Sequence, residues 1–355
     1  MTQSHMQFEV AEQPTLVRRQ AQGWKSRGQD LRTKLQSRRQ VIVVGRGSSG
    51  NAALYFTYLW AISSGRQPLD FRLWVAQENN NVGDYSDCVV LAFSASGQST
   101  DVTRACAWLK ERGALVLGVT AAQDASCRLG GVADELFLLN CGLEKAVPAT
   151  KSFVSQLAAA AALSGMPIQD RASAIASSIE KTLVSPASNT MAEFIVGARS
   201  VIMLGRGLLL GAVHDAALKL QETTGLSSCA YSTAEFFHGP LGCVSPEDRV
   251  VLFLSGDAEL ELRLLKSLAE REVPVRVVMR QTPSISEDAA AVIQRFVAER
   301  STGGQMGMLD LATTGHDWSD VFALIALAQM TCLALCGRMG RSPDAPPLLK
   351  KVTET

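Results

Sequence analysis

The stretch that decides the fold is VIVVGRG, residues 41–47, because it returns further along the chain as VIMLGRG, residues 201–207. Two more runs repeat in the same order, CVVLAFS (88–94) as RVVLFLS (249–255) and ALVLGVT (114–120) as VPVRVVM (273–279). Self-similarity at one nearly constant spacing indicates a duplicated structural unit. The second half is therefore predicted to repeat the first.

The repeated runs are short and rich in β-branched residues, and segments of helical length follow most of them. Apolar strands without polar alternation are typical of a parallel sheet that helices cover on both faces. We therefore expect an α/β fold with two parallel sheets, each in a flavodoxin-like or Rossmann-like three-layer αβα arrangement. In the first half the strands are predicted at Val41–Val44, Val89–Phe93, Leu115–Val119 and Leu136–Leu139.

The length of 355 residues exceeds one ordinary core and suits two domains of roughly 150 residues each. Gly-Met-Pro and Ser-Pro punctuate the probable joint between them. The predicted parts are a helical leader (1–39), a first domain (40–165), a helical linker (166–190), a second domain (191–340) and a tail (341–355).

Composition excludes several classes of partner and site. The 34 basic and 34 acidic residues balance, so nucleic acid and membrane are not expected as partners. Eight cysteines without a C-x-x-C motif suggest reduced, buried thiols and a cytoplasmic location. None of the four histidines has metal-ligand spacing, so we expect no metal and no cofactor. We see no signal-type leader and no apolar stretch of membrane-span length.

The GRGSSG segment, residues 45–50, follows a predicted strand and opens a predicted helix. Backbone N–H groups and the helix dipole favour an anion at such a position. A dinucleotide is a weak alternative, because no Asp or Glu ends a second strand at the spacing that would hold a ribose.

A second polar run, SASGQST at residues 94–100, also follows a strand and precedes a helix. Carboxyl ends of parallel strands form the ligand-binding edge of such sheets, and hydroxyls there suit a phosphate monoester. A helix cap alone explains one serine, not five at two strand ends. The predicted phosphate site comprises Ser48, Ser49, Ser94, Ser96, Gly97 and Ser99. In the second half LSGDAEL replaces this run, and its acid is expected to repel phosphate.

The second half instead offers groups that suit proton transfer. Lys219 and Glu222 are three residues apart and share a helix face, and His238 precedes a Gly-Pro turn that is expected to fix its ring. A carboxylate base, a nearby cation and an acid–base are the groups needed to move a proton beside a sugar carbonyl. By spacing alone a surface ion pair and a loop histidine are the more common explanation, because such pairs are frequent on helices.

Taken together and in this order, the motifs resemble the isomerase part of glucosamine-6-phosphate synthase and the wider double-SIS family, from about Glu9 to Thr355. The resemblance implies two tandem SIS domains, with Ser94–Ser99 as the phosphate loop and Ser49 as its companion. EKAVPATK, residues 144–151, is similar to the family segment that lines the sugar. Residues implied beside the sugar are Gly47, Ala95, Val147 and Ala149.

The same resemblance assigns catalytic roles. Glu222 looks like the base that moves a proton between C1 and C2, and Lys219 like the neighbour that steadies the enolate. His238 resembles the residue that opens the sugar ring, often supplied in this family by the other subunit of a homodimer. Lys350 resembles the terminal lysine that approaches the carbonyl, although Lys351 beside it leaves open which lysine is meant.

The departure from the synthase concerns its glutaminase domain, whose nucleophile is an N-terminal cysteine. Here residue 2 is Thr and the first cysteine is Cys88, so no ammonia is expected from glutamine. The chain looks closest to stand-alone glucosamine-6-phosphate deaminases, which implies conversion of glucosamine 6-phosphate to fructose 6-phosphate and ammonia. The alternatives are another aldose–ketose isomerase, a fructosamine-phosphate deglycase, and a sugar-phosphate sensor without catalysis.

Overall fold

A computed structural model describes residues 4–78, 83–301 and 304–351. The chain divides into two compact units. The amino-terminal unit contains Glu12–Ser173 and the tail from Leu348, and the carboxy-terminal unit contains Ala174–Pro347 and the residues before Glu12.

Three helices precede the first strand, as the apolar spacing of the leader predicts. Leu16, Leu31 and Leu35 are buried, so the apolar faces of the second and third helices pack inward. These helices are α1 (His5–Ala11), α2 (Gln13–Gly23) and α3 (Lys25–Gln36).

The amino-terminal unit contains the first sheet. In chain order its further elements are β1 (Gln40–Val44), α4 (Gly47–Ser64), β2 (Leu69–Asp70), α5 (Val75–Glu78), β3 (Cys88–Ser94), α6 (Thr100–Lys110), β4 (Leu115–Thr120), β5 (Glu135–Leu138) and α7 (Lys151–Leu163). The five strands are parallel and lie in the order β2-β1-β3-β4-β5. Helices α2, α3 and α4 pack against α7.

The carboxy-terminal unit contains the second sheet. Its elements are α8 (Ile168–Val184), which contains the boundary between the units, α9 (Ala187–Ile195), β6 (Val201–Gly205), α10 (Leu210–Thr224), β7 (Ser228–Ser232), α11 (Thr233–Phe236), β8 (Arg249–Phe253), α12 (Ala258–Glu270), β9 (Val275–Met279), α13 (Glu287–Ala298), β10 (Met306–Asp310) and α14 (Asp320–Met339). Its five strands are parallel in the order β10-β9-β8-β6-β7.

The two sheets have the same topology. When the strands of each unit are numbered in chain order, both sheets read 2-1-3-4-5, the flavodoxin-like order. The expected duplication and the expected α/β three-layer fold are therefore confirmed.

Burial explains why the strand sequences show no polar alternation. All four residues of Val41–Val44 are at most 2% exposed, because helices cover both faces of a parallel sheet. The corresponding run in the second sheet, Val201–Gly205, is buried along its whole length.

One segment among the described residues, Asp317–Met339, is long and apolar enough to cross a membrane by length and composition. The expectation that no stretch reaches this length is therefore wrong. Most of it is α14, which packs against α9 and α10, and 78% of its most apolar window is buried. A core helix meets the same criterion as a membrane span, so this finding is weak evidence for one.

Candidate active site

The predicted phosphate residues lie at the point of the first sheet where the chain switches from adding strands on one side of β1 to adding them on the other side. From β1 the chain goes to β2 on one side of β1 and then to β3 on the other side. Ligands of open α/β sheets bind at the carboxyl ends of strands flanking this switch point. Ser48 and Ser49 lie in the first turn of α4, directly after β1, and the serine run follows β3.

Hydrogen bonds tie these two strand ends together. The Ser49 hydroxyl accepts a bond from the backbone N–H of Ala95 at 3.0 Å, and the Ser96 hydroxyl accepts one from the N–H of Gln98 at 3.1 Å. A hydroxyl that accepts from the backbone still has its own proton to donate to an anion. Ser48, Ser49 and Ser94 are each at most 8% exposed, so the cluster is largely withdrawn from water.

Gly97 allows the loop its tight course. Its φ is +67°, in the left-handed region that disfavours side chains. A Cβ there would also lie 2.7 Å from the sulfur of Cys127. The structure thus gives a steric reason for glycine at this position of the loop.

An ion pair beside the loop was not anticipated from sequence. The Arg46 Nε lies 2.7 Å from one carboxylate oxygen of Asp101, and the other oxygen accepts from the Ser99 hydroxyl at 2.8 Å. Burial raises the pKa of Asp101, but the bonds from Arg46, Ser99 and the Val102 N–H outweigh it, so the pKa is lowered. The sequence signal for this pair is the arginine of the repeated GRG run. In the second unit the corresponding Arg206 also pairs with an aspartate, Asp257.

The predicted sugar-lining segment is organised by Glu144, whose role sequence reasoning missed. Its carboxylate accepts from the backbone N–H groups and hydroxyls of Thr150 and Ser152, at 2.6–3.0 Å. Val147 and Ala149 lie within the loop that these bonds close, and both are partly exposed. Glu144 begins the EKAVPATK segment, but its role depends on partners within the loop that it folds, and the motif alone does not show these contacts.

The two tail lysines differ in their contacts. The Lys351 ammonium donates to Glu144 at 2.6 Å and to the carbonyl oxygen of Ala146 at 2.7 Å. Burial raises the pKa of Glu144, but Lys351 and the bonds from Ser152 outweigh it and lower the pKa. Lys350 is exposed, and its ammonium makes no hydrogen bond to the described residues.

In the carboxy-terminal unit the predicted base and its neighbour are in contact. Lys219 and Glu222, both on α10, form an ion pair, and Asp215 lies 4.0 Å from the same ammonium. Lys219 and Asp215 are fully buried, whereas the Glu222 side chain is 21% exposed. Burial lowers the pKa of Lys219, but the two carboxylates outweigh it, so the pKa is raised and the ammonium stays charged.

His238 lies in the connection between β7 and β8 and is exposed. Its backbone N–H donates to the carbonyl of Glu235 at 2.9 Å, and Gly239 follows it with a positive φ. Within the described part of the chain, its imidazole makes no hydrogen bond. The turn therefore fixes the backbone at His238, but the ring is not held as the sequence interpretation expected.

The second unit fills its own equivalent of the phosphate loop. After β8, the Glu261 carboxylate accepts from the backbone N–H of Ser255 at 2.5 Å and from its hydroxyl at 2.8 Å. Glu261 is 1% exposed, and burial raises its pKa more than the bonds from Ser255 and Gly256 lower it. Asp257, the acid expected to repel phosphate, instead pairs with Arg206. The Glu261 carboxylate, and not Asp257, therefore accepts the hydrogen bonds of Ser255 that a phosphate would otherwise accept.

Comparison with known proteins gives the family. The SIS domain family matches residues 34–165 and 194–314, which together are more than half of the chain. The curated glutamine–fructose-6-phosphate aminotransferase (isomerizing) of Pyrobaculum aerophilum is 26% identical over 367 residues, covering 97% of this chain and 56% of that protein. The chain spans about half the length of the curated relatives it matches.

Two solved structures share the fold. The C-terminal domain of glucosamine-fructose-6-phosphate aminotransferase from Francisella tularensis superposes with a TM-score of 0.82 at 20% identity, over 97% of this chain and 98% of that one. Glucosamine-6-phosphate deaminase from Thermotoga maritima gives 0.75 at 24% identity, over 99% and 100%. At such identities the likeness concerns the fold alone. From the two domain matches it follows that the chain belongs to the SIS domain family.

Proposed function

We propose that this chain is a sugar-phosphate isomerase whose substrate is an amino sugar phosphate, converting glucosamine 6-phosphate to fructose 6-phosphate and ammonia. The observation that carries the proposal is the Lys219–Glu222 ion pair. A partly exposed carboxylate remains accessible to a ligand, while the buried ammonium beside it keeps its charge. Isomerisation at a carbon next to a carbonyl needs this combination of base and cation.

Phosphate binding is assigned to the serine-lined strand ends of the amino-terminal unit. Ser48, Ser49, Ser94 and Ser96 are proposed to donate from their hydroxyls, and Ser99 is assigned to the same loop although its hydroxyl donates to Asp101. The Arg46–Asp101 pair beside them adds no net charge. Gly47, Ala95, Val147 and Ala149 are proposed to contact the sugar. Binding energy from the phosphate then positions the reacting carbons, although phosphate itself does not react.

The proton transfer is proposed to run through the open-chain sugar. Glu222 removes the C2 proton, the C2 electron pair shifts toward the C1 carbonyl, and Lys219 offsets the negative charge that develops. The C1 oxygen takes a proton to give an enolamine, and Glu222 then returns the C2 proton to C1 while the amino group loses one N–H proton, which leaves a hydroxyl on C1 and an imine at C2. Water adds to this imine and ammonia departs, which yields the ketone of fructose 6-phosphate.

His238 and Lys350 complete the proposal. His238 is assigned to ring opening, and its exposure suits a residue that acts on the substrate of a second copy in a homodimer. Lys350 is assigned to the sugar carbonyl because its ammonium, unlike that of Lys351, is not engaged by Glu144. The eight free thiols suit the reducing cytoplasm, where we propose that the chain acts.

The test is ammonia release from glucosamine 6-phosphate, with galactosamine 6-phosphate and fructosamine phosphates assayed in parallel. Glu222→Gln removes the base and is expected to lower turnover by about 10²–10⁴-fold. Glu270→Gln, at an exposed glutamate ending α12, is the matched control and should leave turnover unchanged. Near wild-type turnover in Glu222→Gln would show that the base is assigned wrongly. Absence of turnover on all these substrates would remove the proposed reaction.

A further inference from the structure

Arg276, on β9 of the carboxy-terminal unit, forms no ion pair with any residue that the structure describes. The residue is half-buried, and its Nε atom is fully buried with no hydrogen-bond partner among the described residues. Burial lowers its pKa, and no nearby carboxylate opposes this shift. A half-buried guanidinium with a buried, unsatisfied Nε is costly and calls for an explanation.

Packing holds this guanidinium in place. It lies 4.6 Å from the ring centroid of Phe194, on α9, and extends across Gly307, its neighbour on β10. A Cβ at Gly307 would overlap the guanidinium, so glycine leaves the room that Arg276 occupies. The ring offers only a weak cation–π attraction and cannot replace an anion.

A second arginine faces the same ring. The Arg249 guanidinium lies 5.8 Å from the Phe194 centroid and donates to the backbone carbonyl oxygens of Phe194, Pro246 and Asp248. Carbonyl oxygens satisfy N–H groups without neutralising the charge. Two arginines that form no ion pair within the described part of the chain therefore converge on one aromatic side chain.

Both arginines line a cavity of about 620 Å³ at the amino ends of β8, β9 and β10. This volume falls in the range of small-molecule sites. Two glutamates also line it, but Glu193 pairs with Arg338 at 2.8 Å, which leaves Glu272 against the two arginines. The lining itself carries two arginines and two glutamates, but Arg338 outside the lining neutralises Glu193, so a charge of plus one remains, which suits a ligand with one anionic group.

We infer that this cavity binds a small metabolite through an oxyanion, a phosphate or carboxylate that Arg276 and Arg249 hold together. The planar guanidinium fork matches either oxyanion with paired hydrogen bonds. The ligand supplies the missing countercharge to the exposed part of the guanidinium. None of the lining residues is assigned to the proposed reaction, so this is an additional site, and its occupant is a candidate regulator.

The test counts phosphate sites by equilibrium dialysis of the full chain against labelled inorganic phosphate at low salt. Arg276→Gln is expected to abolish one site, whereas Ser96→Ala should leave that site intact and weaken the one in the serine loop. Arg300→Gln is the matched control, because Arg300 also stacks on a phenylalanine of this unit, Phe296 at 3.8 Å, but does not line the cavity. It should bind as wild type does.

The outcomes separate this inference from the proposed function. Unchanged phosphate binding in Arg276→Gln would overturn the inference, whatever Ser96→Ala does. Loss of binding in Arg276→Gln with no effect of Ser96→Ala would support the inference and count against the proposed phosphate loop.

The Arg276→Lys variant keeps the positive charge but lacks the planar guanidinium group. We therefore expect at least tenfold weaker phosphate binding, and wild-type affinity would contradict the assignment. Without phosphate, Arg276→Gln should unfold at no lower temperature than wild type, because it removes an uncompensated charge.

Discussion

The ammonium of Lys351 lies 2.6 Å from a carboxylate oxygen of Glu144, and this ion pair joins the tail to a loop 207 positions earlier in the chain. The Glu144 side chain is 5% exposed, so the pair is shielded from water on one side. Because Lys351 is held in this way, the role proposed at the sugar carbonyl falls to the neighbouring Lys350.

Removing either lysine should therefore have different consequences. Lys350→Met is expected to lower kcat by at least tenfold because the proposed carbonyl contact is lost. Lys351→Met should mainly raise KM, since the tail loses its anchor but keeps the Lys350 amine. Steady-state kinetics measures the difference. The control is Lys266→Met, at an exposed lysine of α12. A larger kcat loss in Lys351→Met than in Lys350→Met would reverse the two roles.

The lowered pKa of Glu144 predicts a pH-dependent contribution to stability. A depressed folded pKa stabilises the protein above the unfolded value, about 4.3 for glutamate, and the contribution disappears as pH falls through the folded value. Wild type should therefore lose stability between neutral pH and acid pH more steeply than Glu144→Gln, which cannot ionise. Urea unfolding at several pH values measures both slopes. Equal slopes would show that Glu144 titrates normally.

Gly97→Ala should damage the phosphate loop. The left-handed conformation costs a side chain about 1–2 kcal/mol, and contact with Cys127 adds to this. We expect a lower unfolding temperature and weaker binding of substrate. Gly131→Ala is the control, because the nearest atom to a Cβ there is 3.4 Å away and its φ is not positive. If both variants behaved alike, the loop would tolerate a side chain.

Lys219→Met should be strongly destabilising. It leaves the buried carboxylate of Asp215 and the partly exposed carboxylate of Glu222 without this cation, and removing one partner of a buried ion pair typically costs about 3–5 kcal/mol. The raised pKa of Lys219 also predicts that its contribution is complete below about pH 10.4 and is lost only as pH rises through the folded value. Chemical unfolding of both proteins at neutral and alkaline pH checks this. A Lys219→Met variant as stable as wild type at pH 7 would contradict it.

Sharing of His238 between two copies can be tested by mixing inactive variants. Glu222→Gln and His238→Ala chains, unfolded and refolded together, should recover roughly a quarter of wild-type turnover if each site of a two-fold dimer uses one residue from each chain. Refolding each variant alone is the control. No recovery in a mixture that forms dimers would place both residues in the same chain.

The proposed interpretation of the second half changes in one respect. Sequence suggested that Asp257 repels phosphate, but Asp257 pairs with Arg206, and Glu261 fills the donors of Ser255. Glu261 lies one helical turn into α12, where its sequence neighbours give no reason to expect an inward carboxylate. The first turn of α12 brings the Glu261 carboxylate back to Ser255, just after the end of β8, although the two residues are six positions apart in the chain.

The sequence by itself determined the fold and its duplication, because buried parallel strands require uninterrupted apolar runs, and VIVV at 41–44 and VIML at 201–204 satisfy that requirement locally. The sequence also placed the serines of residues 48–49 and 94–99 at the carboxyl ends of two strands, because the end of a strand follows directly from its predicted position. Only the tertiary structure decided which tail lysine is anchored, that Glu144 organises its loop, and that Arg276 has no ion-pair partner among the described residues. These facts depend on side chains that are distant in the chain or on different strands, and no local periodicity encodes such pairings.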